Sequence, residues 1–253
     1  MSCYNAMELM VVVAARSLPN AASVVVGTGA PCAAAMLAQK THAPNLVVFF
    51  EAGAIGPQLP EMPISVGDSR TFYRAMMATS MNTVMDACGR GRIGYTFLGG
   101  AQIDMYGNLN STVIGDYLAP KVRFSGSGGA CDAGSLASGY IVFMQHGVEK
   151  FVEKLDYLTT PGWLEGGDSR RRAGFRRGGP IAVVTDLCVL KFHEETHEMY
   201  LAERYEGVTP EQVQQHTGFP LDVSRSSVAA PPTGEELRIL RDDVDPQRLI
   251  LGG

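Results

Sequence analysis

Short apolar runs alternate with helical patterns along this chain. Three continuous runs, Ser23 to Val26, Asn45 to Phe50 and Ile93 to Leu98, have the length and composition of strands that are covered on both faces. Two further runs, Tyr140 to Gln145 and Ile181 to Asp186, predict strands later in the chain. Because strands that alternate with helices form parallel sheets, the pattern predicts an α/β fold with an open, largely parallel sheet and helices on both faces.

Helices are predicted from the three- and four-residue spacing of apolar side chains and from capping residues. Met10 to Ala15 is typical of an amphipathic first helix, and a second helix should run from about Pro31 to Lys40. A third helix is indicated by the spacing of Phe72, Met76, Val84, Met85 and Cys88. Two late helices carry capping boxes, formed by Thr209 with Gln212 and by Thr233 with Glu236.

Composition and charge exclude several classes of function. With 45% hydrophobic and 19% charged residues, the chain can bury a real core and shows no sign of global disorder. A net charge of −5 argues against non-specific nucleic-acid binding. No apolar run approaches the roughly 20 residues needed to cross a bilayer, and Glu8 ahead of the first run does not suit a signal peptide. We therefore expect a soluble, cytoplasmic protein that binds neither nucleic acid nor membrane.

The cysteines and one histidine motif bear on metal binding. The five cysteines are scattered without ligand spacing, which favours reduced thiols over disulfides or a zinc site: Cys3, Cys32, Cys88, Cys131 and Cys188. The stretch from His193 to His197 fits the H-E-x-x-H pattern of zinc hydrolases, which requires a helix. Short β-type runs flank it instead and predict a hairpin with a loop at its tip. We therefore predict no metal site.

Two further motifs leave alternatives open. Gly27-Thr28-Gly29 lies between a strand and a helix, as in a dinucleotide-binding turn, but Cys32 stands where the third glycine would be. A tight turn in an ordinary parallel fold is the other interpretation. The arginines between Arg170 and Arg177 could bind phosphates, or could form an exposed basic loop, which the six glycines of Gly162 to Gly179 favour.

Candidate chemistry lies at the ends of predicted strands, where open α/β sheets bind ligands. Glu51 ends an apolar strand and precedes Ala52, Gly53 and a long loop, so its carboxylate could attack a carbonyl, or could simply face solvent. Two glycine-rich segments also follow strands and expose backbone amides that can stabilise an oxyanion or let a ligand approach closely: Gly99-Gly100 and Gly126-Ser127-Gly128-Gly129.

Motifs spread in order over nearly the whole chain resemble the β subunits of glutaconate CoA-transferases, within the class I CoA-transferase family. The motifs are Val25–Gly29, Glu51–Gly53, Ser65–Arg70, Gly99–Asp104, Tyr106–Ser111, Ile114–Tyr117, Phe124–Gly129, Met144–His146, Thr160–Trp163, Val183–Asp186 and Thr217–Val223. The resemblance implies one CoA-transferase β-subunit-like domain over residues 1–253.

The resemblance also implies a mechanism and partners. Glu51 matches the nucleophile, which moves CoA between a short mono- or dicarboxylic acyl-CoA and an acceptor carboxylate through a glutamyl-CoA thioester. Gly99 matches the oxyanion donor, and the glycines expected near CoA are Gly27, Gly29, Gly100, Gly126, Gly128 and Gly129. CoA enters as part of the substrate, with no tightly bound cofactor. The partner is an α subunit, in an α2β2 or higher hetero-oligomer with the active site at the interface.

One residue departs from the family pattern. The position after the glutamate is usually Ser or Asn, but here it is Ala52. Relatives with this fold carry out decarboxylation or hydrolysis of CoA thioesters, so a decarboxylase or hydrolase acting on a dicarboxylyl-CoA is the alternative function.

Overall fold

The predicted strands and helices form two compact units in the computed structural model, which describes residues 4–252. The first unit comprises the chain up to Phe97 and the segment from Pro231 onward, and the second comprises Leu98–Ala230. The single domain expected from the resemblance stays a prediction.

The first unit contains five strands and most of the long helices. Its elements are α1 (Ala6–Arg16), β1 (Ser23–Val26), α2 (Ala30–Lys40), β2 (Val47–Phe50), β3 (Ala54–Ile55), β4 (Met77–Ala78), α3 (Met81–Gly89) and β5 (Tyr95–Leu98), whose last residue begins the second unit. The strand order is β5-β1-β2-β3-β4. β1 pairs in parallel with β2 and β5, whereas β3 and β4 add antiparallel pairs.

The second unit contains nine strands and three short helices. They are β6 (Gln102–Ile103), β7 (Leu109–Asn110), β8 (Val113–Gly115), β9 (Pro120–Arg123), α4 (Ala130–Leu136), β10 (Tyr140–Phe143), α5 (Ser169–Arg172), β11 (Pro180–Val184), β12 (Cys188–Phe192), β13 (Met199–Arg204), α6 (Pro210–Gln215) and β14 (Ser227–Val228). The strand order is β10-β11-β12-β13-β14, parallel at both ends and antiparallel between β11, β12 and β13. The α/β prediction is confirmed, and antiparallel hairpins extend the parallel pairs.

The chain returns to the first unit through α7 (Gly234–Arg238) and a π-helical turn, Ile239–Val244. Arg241 donates two hydrogen bonds to the buried carboxylate of Glu8 on α1, at 2.7 and 2.8 Å. This pair and the hydrogen bond from Asn5 hold the pKa of Glu8 below its usual value, although burial opposes them. Both ends of the chain therefore stabilise the same unit.

Local capping signals were reliable. Thr209 and Gln212 form the capping box of α6, and Thr233 and Glu236 form that of α7. The predicted first helix exists, but α1 is buried from Glu8 to Ala15 and is not amphipathic, because apolar residues surround its axis. Among residues 4–252, no helix is both long and apolar enough to span a bilayer.

Two further sequence predictions were wrong. The apolar spacing from Phe72 to Cys88 does not form one helix: a short 3-10 turn, Ser69–Phe72, and β4 precede α3. The segment Gly162–Gly179 is not simply an exposed loop, because it contains α5 and the buried Arg170. Cys32 and Cys188 are buried free thiols, as expected, whereas Cys3 lies outside the described residues.

Candidate active site

Glu51 lies at the tip of a tight β-hairpin. The amide of Gly53 donates to the carbonyl of Phe50 at 2.9 Å, which closes a four-residue turn with Glu51 and Ala52 at its centre. Phe49 then pairs with Ile55 across β2 and β3. The chain after Glu51 therefore returns at once as a hairpin, which fixes the backbone of the carboxylate. The expected long loop follows this hairpin and reaches β4 with one 3-10 turn, Ser69–Phe72. The side chain of Glu51 is half-buried.

Gly53 makes this hairpin possible. Its φ of +118° is one that residues with side chains rarely adopt. A Cβ atom at this position would lie 2.2 Å from the carbonyl oxygen of Thr79. That close approach allows the amide of Thr79 to donate to the carbonyl of Gly53 at 3.0 Å. The turn that carries Glu51 is thereby attached to the segment entering α3.

The parallel pairing of β1 and β2 brings the Gly27 turn and Glu51 to the same edge of the first unit. Val26 and Phe50, the last residues of the two strands, are paired neighbours, and Gly27 and Glu51 follow them directly. Gly29, with φ +83°, caps the beginning of α2, and a Cβ atom there would contact Ile250 at 3.8 Å. Carboxyl ends of neighbouring parallel strands are where α/β folds place their ligands.

Gly99 and Gly100 follow β5 and belong to the second unit. A Cβ atom on Gly100 would lie 3.1 Å from the carbonyl oxygen of Gln102 and 3.3 Å from that of Asn110, so the backbone is crowded there. At Gly99 the nearest atom would be the carbonyl oxygen of Phe143, at 3.4 Å. The amide of Ala101 donates to Asn110 at 2.7 Å, which fixes the end of this glycine pair.

The second glycine segment leads into α4. Gly126 and Gly128 have φ values of +92° and +50°, and a Cβ atom on either would meet nothing within 4 Å. Glycine is therefore needed there for backbone conformation, and the main chain stays open to a ligand. Ser111 donates to the carbonyl of Gly126 at 3.2 Å, and Ser127 accepts from the amide of Cys131 at 3.0 Å. Gly129 caps the helix.

Sequence reasoning missed the polar side chains that hold these segments in place. Buried Asn110 donates to Gln102 at 2.8 Å and to the carbonyl of Val113 at 2.7 Å. Gln102 in turn donates to Asp156 at 3.1 Å. The sequence signal that could have found them is the presence of amide side chains in the Gly99–Asp104 and Tyr106–Ser111 motifs, next to glycines. A buried side-chain amide needs several hydrogen-bond partners. These residues position the backbone around Gly100.

A second buried network lies beside the first. Asp104 accepts from the amide of Tyr106 and from both nitrogens of Asn108, at 2.8 to 3.0 Å. Asn108 also accepts from the amides of Gly162, at 2.7 Å, and Leu164, at 3.1 Å. Burial raises the pKa of Asp104, and the hydrogen bonds from Asn108 oppose that shift. The network connects the Tyr106–Ser111 motif to the Thr160–Trp163 motif.

The structure thus places the predicted site residues in two groups. Glu51, Gly27 and Gly29 belong to the first unit, whereas Gly99, Gly100, Gly126, Gly128 and Gly129 belong to the second. Within the first unit Glu51 and the Gly27 turn share one sheet edge.

Comparison with known proteins shows the family to which the chain belongs. Residues 7–216 match the family described as Coenzyme A transferase. The chain belongs to this family. It is 39% identical to the β subunit of the glutaconate CoA-transferase of Acidaminococcus fermentans, over 98% of this chain and 95% of the relative. It is also 39% identical to the β subunit of the 3-oxoadipate CoA-transferase of Pseudomonas knackmussii, over 95% and 94% of the two chains.

A solved structure gives the same result. The crystal structure of glutaconate CoA-transferase from Acidaminococcus fermentans superposes with a TM-score of 0.95 at 38% identity, covering 99% of this chain and 98% of the other. The predicted fold class and enzyme class, a CoA-transferase, are confirmed. CoA is a substrate of this family, and the relatives are named as one of two kinds of subunit, which implies a partner chain. With the chain placed among the CoA-transferases, the dinucleotide-binding interpretation of the Gly27 turn is set aside.

The H-E-x-x-H stretch of this CoA-transferase chain is the predicted hairpin tip between β12 and β13. The two histidines have different neighbours: His193 lies 3.3 Å from Asp222, whereas the ring of His197 stacks on Trp163 at 3.9 Å. No cluster of three or more potential metal ligands occurs among residues 4–252. The hairpin prediction is confirmed.

His146 is a buried structural residue. Its ring nitrogens lie 3.2 Å from the hydroxyl of Thr185 and 3.0 Å from that of Thr217, and the ring stacks on Phe151 at 4.0 Å. Burial lowers the pKa of His146 to about 4, so the ring is neutral at pH 7. Three of the motifs that carry the resemblance therefore meet at this side chain: Met144–His146, Val183–Asp186 and Thr217–Val223.

Proposed function

We propose that this chain is the nucleophile-bearing subunit of a CoA-transferase that moves CoA between a short dicarboxylic acyl-CoA and an acceptor carboxylate. The observation that carries the proposal is the position of Glu51, held at a hairpin tip beside the Gly27 turn. The names of two relatives, glutaconate and 3-oxoadipate CoA-transferases, support dicarboxylic acids as the substrate class.

In the proposed reaction Glu51 attacks the thioester carbonyl carbon of the acyl-CoA, and the C–S bond breaks to give an acyl-glutamyl anhydride and CoA thiolate. The thiolate then attacks the glutamyl carbonyl carbon, releases the first carboxylate and leaves a glutamyl-CoA thioester. An acceptor carboxylate attacks the carbonyl carbon of this thioester, which expels CoA thiolate and gives a second anhydride between the acceptor and Glu51. The thiolate then attacks the acceptor's carbonyl carbon in this anhydride and forms the new acyl-CoA. Glu51 is released as a carboxylate, so no proton or electron is consumed overall.

The backbone amide of Gly99 is the proposed oxyanion donor for the tetrahedral intermediates. A carboxylate is a weak nucleophile, so fixed donors must supply much of the stabilisation. Gly27, Gly29, Gly100, Gly126, Gly128 and Gly129 are the proposed contacts of CoA. The open main chain at Gly126 and Gly128 supports this assignment, since no side chain would block an approaching thiol arm. Water must be excluded, because it would hydrolyse the anhydride.

The proposed partner is an α subunit, in an α2β2 or higher hetero-oligomer. The first unit, which carries Glu51, exposes a group of large apolar side chains that we call the methionine face: Ile64, Tyr73, Met76, Met77 and Met81, exposed by 46 to 78%. Exposed apolar groups of this kind mark interaction sites. β4 at this face pairs with β3 of the Glu51 hairpin, so the proposed docking surface adjoins the nucleophile.

Trapping the intermediate tests the nucleophile. The chain, co-purified with its partner, is incubated with glutaconyl-CoA or 3-oxoadipyl-CoA, and peptides are analysed for a CoA adduct on Glu51. Glu51→Gln should abolish the adduct and the exchange of CoA, whereas the matched variant Glu195→Gln, on the exposed hairpin tip, should retain both. An adduct on another residue, or CoA exchange that survives in Glu51→Gln, would reject the proposal.

The same incubation separates transfer from the alternative reactions. Turnover by transfer requires an acceptor carboxylate, so without one no more than one equivalent of free acid per chain should form, as the glutamyl-CoA thioester accumulates. Continued release of free acid beyond that equivalent, or formation of carbon dioxide, without an acceptor would instead support a hydrolase or decarboxylase, the alternative suggested by Ala52.

A further inference from the structure

Arg170 is a buried cation without a carboxylate partner. It is 3% exposed, although arginines around it in the sequence are exposed. Its guanidinium donates to carbonyl oxygens, including those of Pro161 at 2.9 Å, Gly162 at 2.8 Å and Gly134 at 3.0 Å. No carboxylate lies within ion-pair distance of it in the part of the chain that the structure describes. Carbonyl dipoles solvate this charge but do not neutralise it.

The buried charge borders a cavity of about 260 Å³ in the second unit. Exposed Arg176 and Arg177 also line the cavity, and their side chains form no ion pair within residues 4–252. The carboxylate in the lining is that of Asp168, which pairs with Arg171 at 2.8 Å and with Arg172 at 2.5 Å. Its negative charge is therefore already balanced. The three remaining guanidinium groups give the cavity a positive potential in a chain whose net charge is −5.

Aromatic rings form another wall of the cavity. Trp163 is anchored by a hydrogen bond from its indole nitrogen to the carbonyl of Pro180, at 3.0 Å, and His197 stacks on it with an interplanar angle of 13°. Both rings line the cavity. Fixed aromatic rings beside exposed guanidinium groups suit a nucleoside that carries phosphates, because the base can pack on the rings while the arginines bind phosphate oxygens.

We propose that this cavity binds the phosphate groups of a nucleotide, with Arg176 and Arg177 as direct ligands and Arg170 as a fixed positive charge behind them. The guanidinium of Arg170 is saturated by carbonyls, so it acts through its field. The proposal stands independently of the chemistry proposed for Glu51. The nucleotide portion of CoA and a free nucleotide offer the same phosphate chemistry, and the experiment distinguishes them.

Calorimetric titration of the whole chain, residues 1–253, with adenosine 3′,5′-bisphosphate tests the site. The double variant Arg176→Gln/Arg177→Gln changes only exposed side chains and should fold normally. It should weaken binding by about tenfold or more, since two charge-assisted contacts are lost. The matched variant Arg90→Gln, which removes an exposed arginine of α3 in the other unit, should bind like the unchanged chain.

Competition identifies the source of the nucleotide. If CoA displaces the bisphosphate, the site holds the nucleotide of the substrate, and the double variant should raise the KM for acyl-CoA without lowering the rate at saturation. If the bisphosphate binds equally well with CoA saturating, the site takes a free nucleotide. Absence of binding, or equal binding by the double variant and the unchanged chain, overturns the proposal and leaves a solvated basic loop. Binding retained in Glu51→Gln separates this result from any failure of the proposed reaction.

Discussion

Replacing Gly53 by Ala perturbs the Glu51 hairpin through one added methyl group. Its carbon would lie 2.2 Å from the carbonyl oxygen of Thr79, and real Cβ contacts are essentially never shorter than 3.0 Å, so the two backbones must separate by about 0.8 Å. The φ of +118° adds strain, because residues with a Cβ atom avoid this region.

Both effects have known scales. A non-glycine residue in a sparsely populated backbone region costs about 1 to 3 kcal/mol. Overpacking of a close contact costs a further 1 to 3 kcal/mol, by order of magnitude. We therefore expect the free energy of unfolding to fall by about 2 to 6 kcal/mol. Because Glu51 occupies the same turn, a displacement near 1 Å should also slow formation of its CoA adduct by roughly a hundredfold.

Urea unfolding followed by circular dichroism measures the stability, and mass spectrometry of the adduct measures the rate. Gly89→Ala is the matched control, since Gly89 ends α3 and a Cβ atom there would meet nothing within 4 Å. It should cost no stability. Should Gly53→Ala unfold within about 0.5 kcal/mol of the unchanged chain and form the adduct at the same rate, the close approach of Gly53 and Thr79 has no structural role.

Three further predictions concern other parts of the chain. Arg170→Ala should lower the free energy of unfolding by about 3 kcal/mol, because several buried carbonyls lose their donor, whereas Arg171→Ala, at an exposed position, should change it by less than about 0.5 kcal/mol in the same denaturation assay. The free energy of unfolding should fall by about 3 kcal/mol between pH 6.5 and 4, because His146 binds a proton in the unfolded chain over this range but stays neutral when it is buried in the folded chain. Urea unfolding at several pH values should show a smaller dependence on pH for His146→Gln. Met76→Lys should reduce recovery of the co-purified partner about tenfold, while Val148→Lys, also at an exposed apolar position, should not; equal recovery would exclude Met76 from the docking surface.

Sequence patterns predicted the features that depend on neighbouring residues. The continuous run before Glu51 gave β2, and the capping box of Thr209 and Gln212 located the beginning of α6. The short β-type runs on either side of the His193–His197 stretch correctly predicted a hairpin, because two strands joined by a short polar segment pair with each other locally. The glycine segments were found for a similar reason, because the positive φ values of Gly126 and Gly128 require that residue type.

Features that depend on distant residues could not be predicted. The spacing of Phe72, Met76 and Val84 resembles a helix, yet Met76 is 78% exposed, and the chain near it extends because β4 pairs with β3. The spacing of apolar residues along the sequence does not show which other part of the structure covers each side chain. Nor does an arginine run show that Arg170 alone turns inward, because one of its carbonyl partners, Gly134, lies 36 residues earlier in the sequence.

The return of the last segment to the first unit has a consequence for synthesis on the ribosome. Arg241 supplies the partner of buried Glu8, and the side chain of Asn5 donates to the carbonyl of Leu251 at 2.9 Å. Residues 98–230 can emerge and fold as a unit before either contact exists, although domains usually fold in order from the N-terminus. The buried acid of the apolar α1 therefore lacks its arginine partner until the segment containing Arg241 has been made. A stalled or truncated chain would therefore keep its second unit and lack a stable support for Glu51.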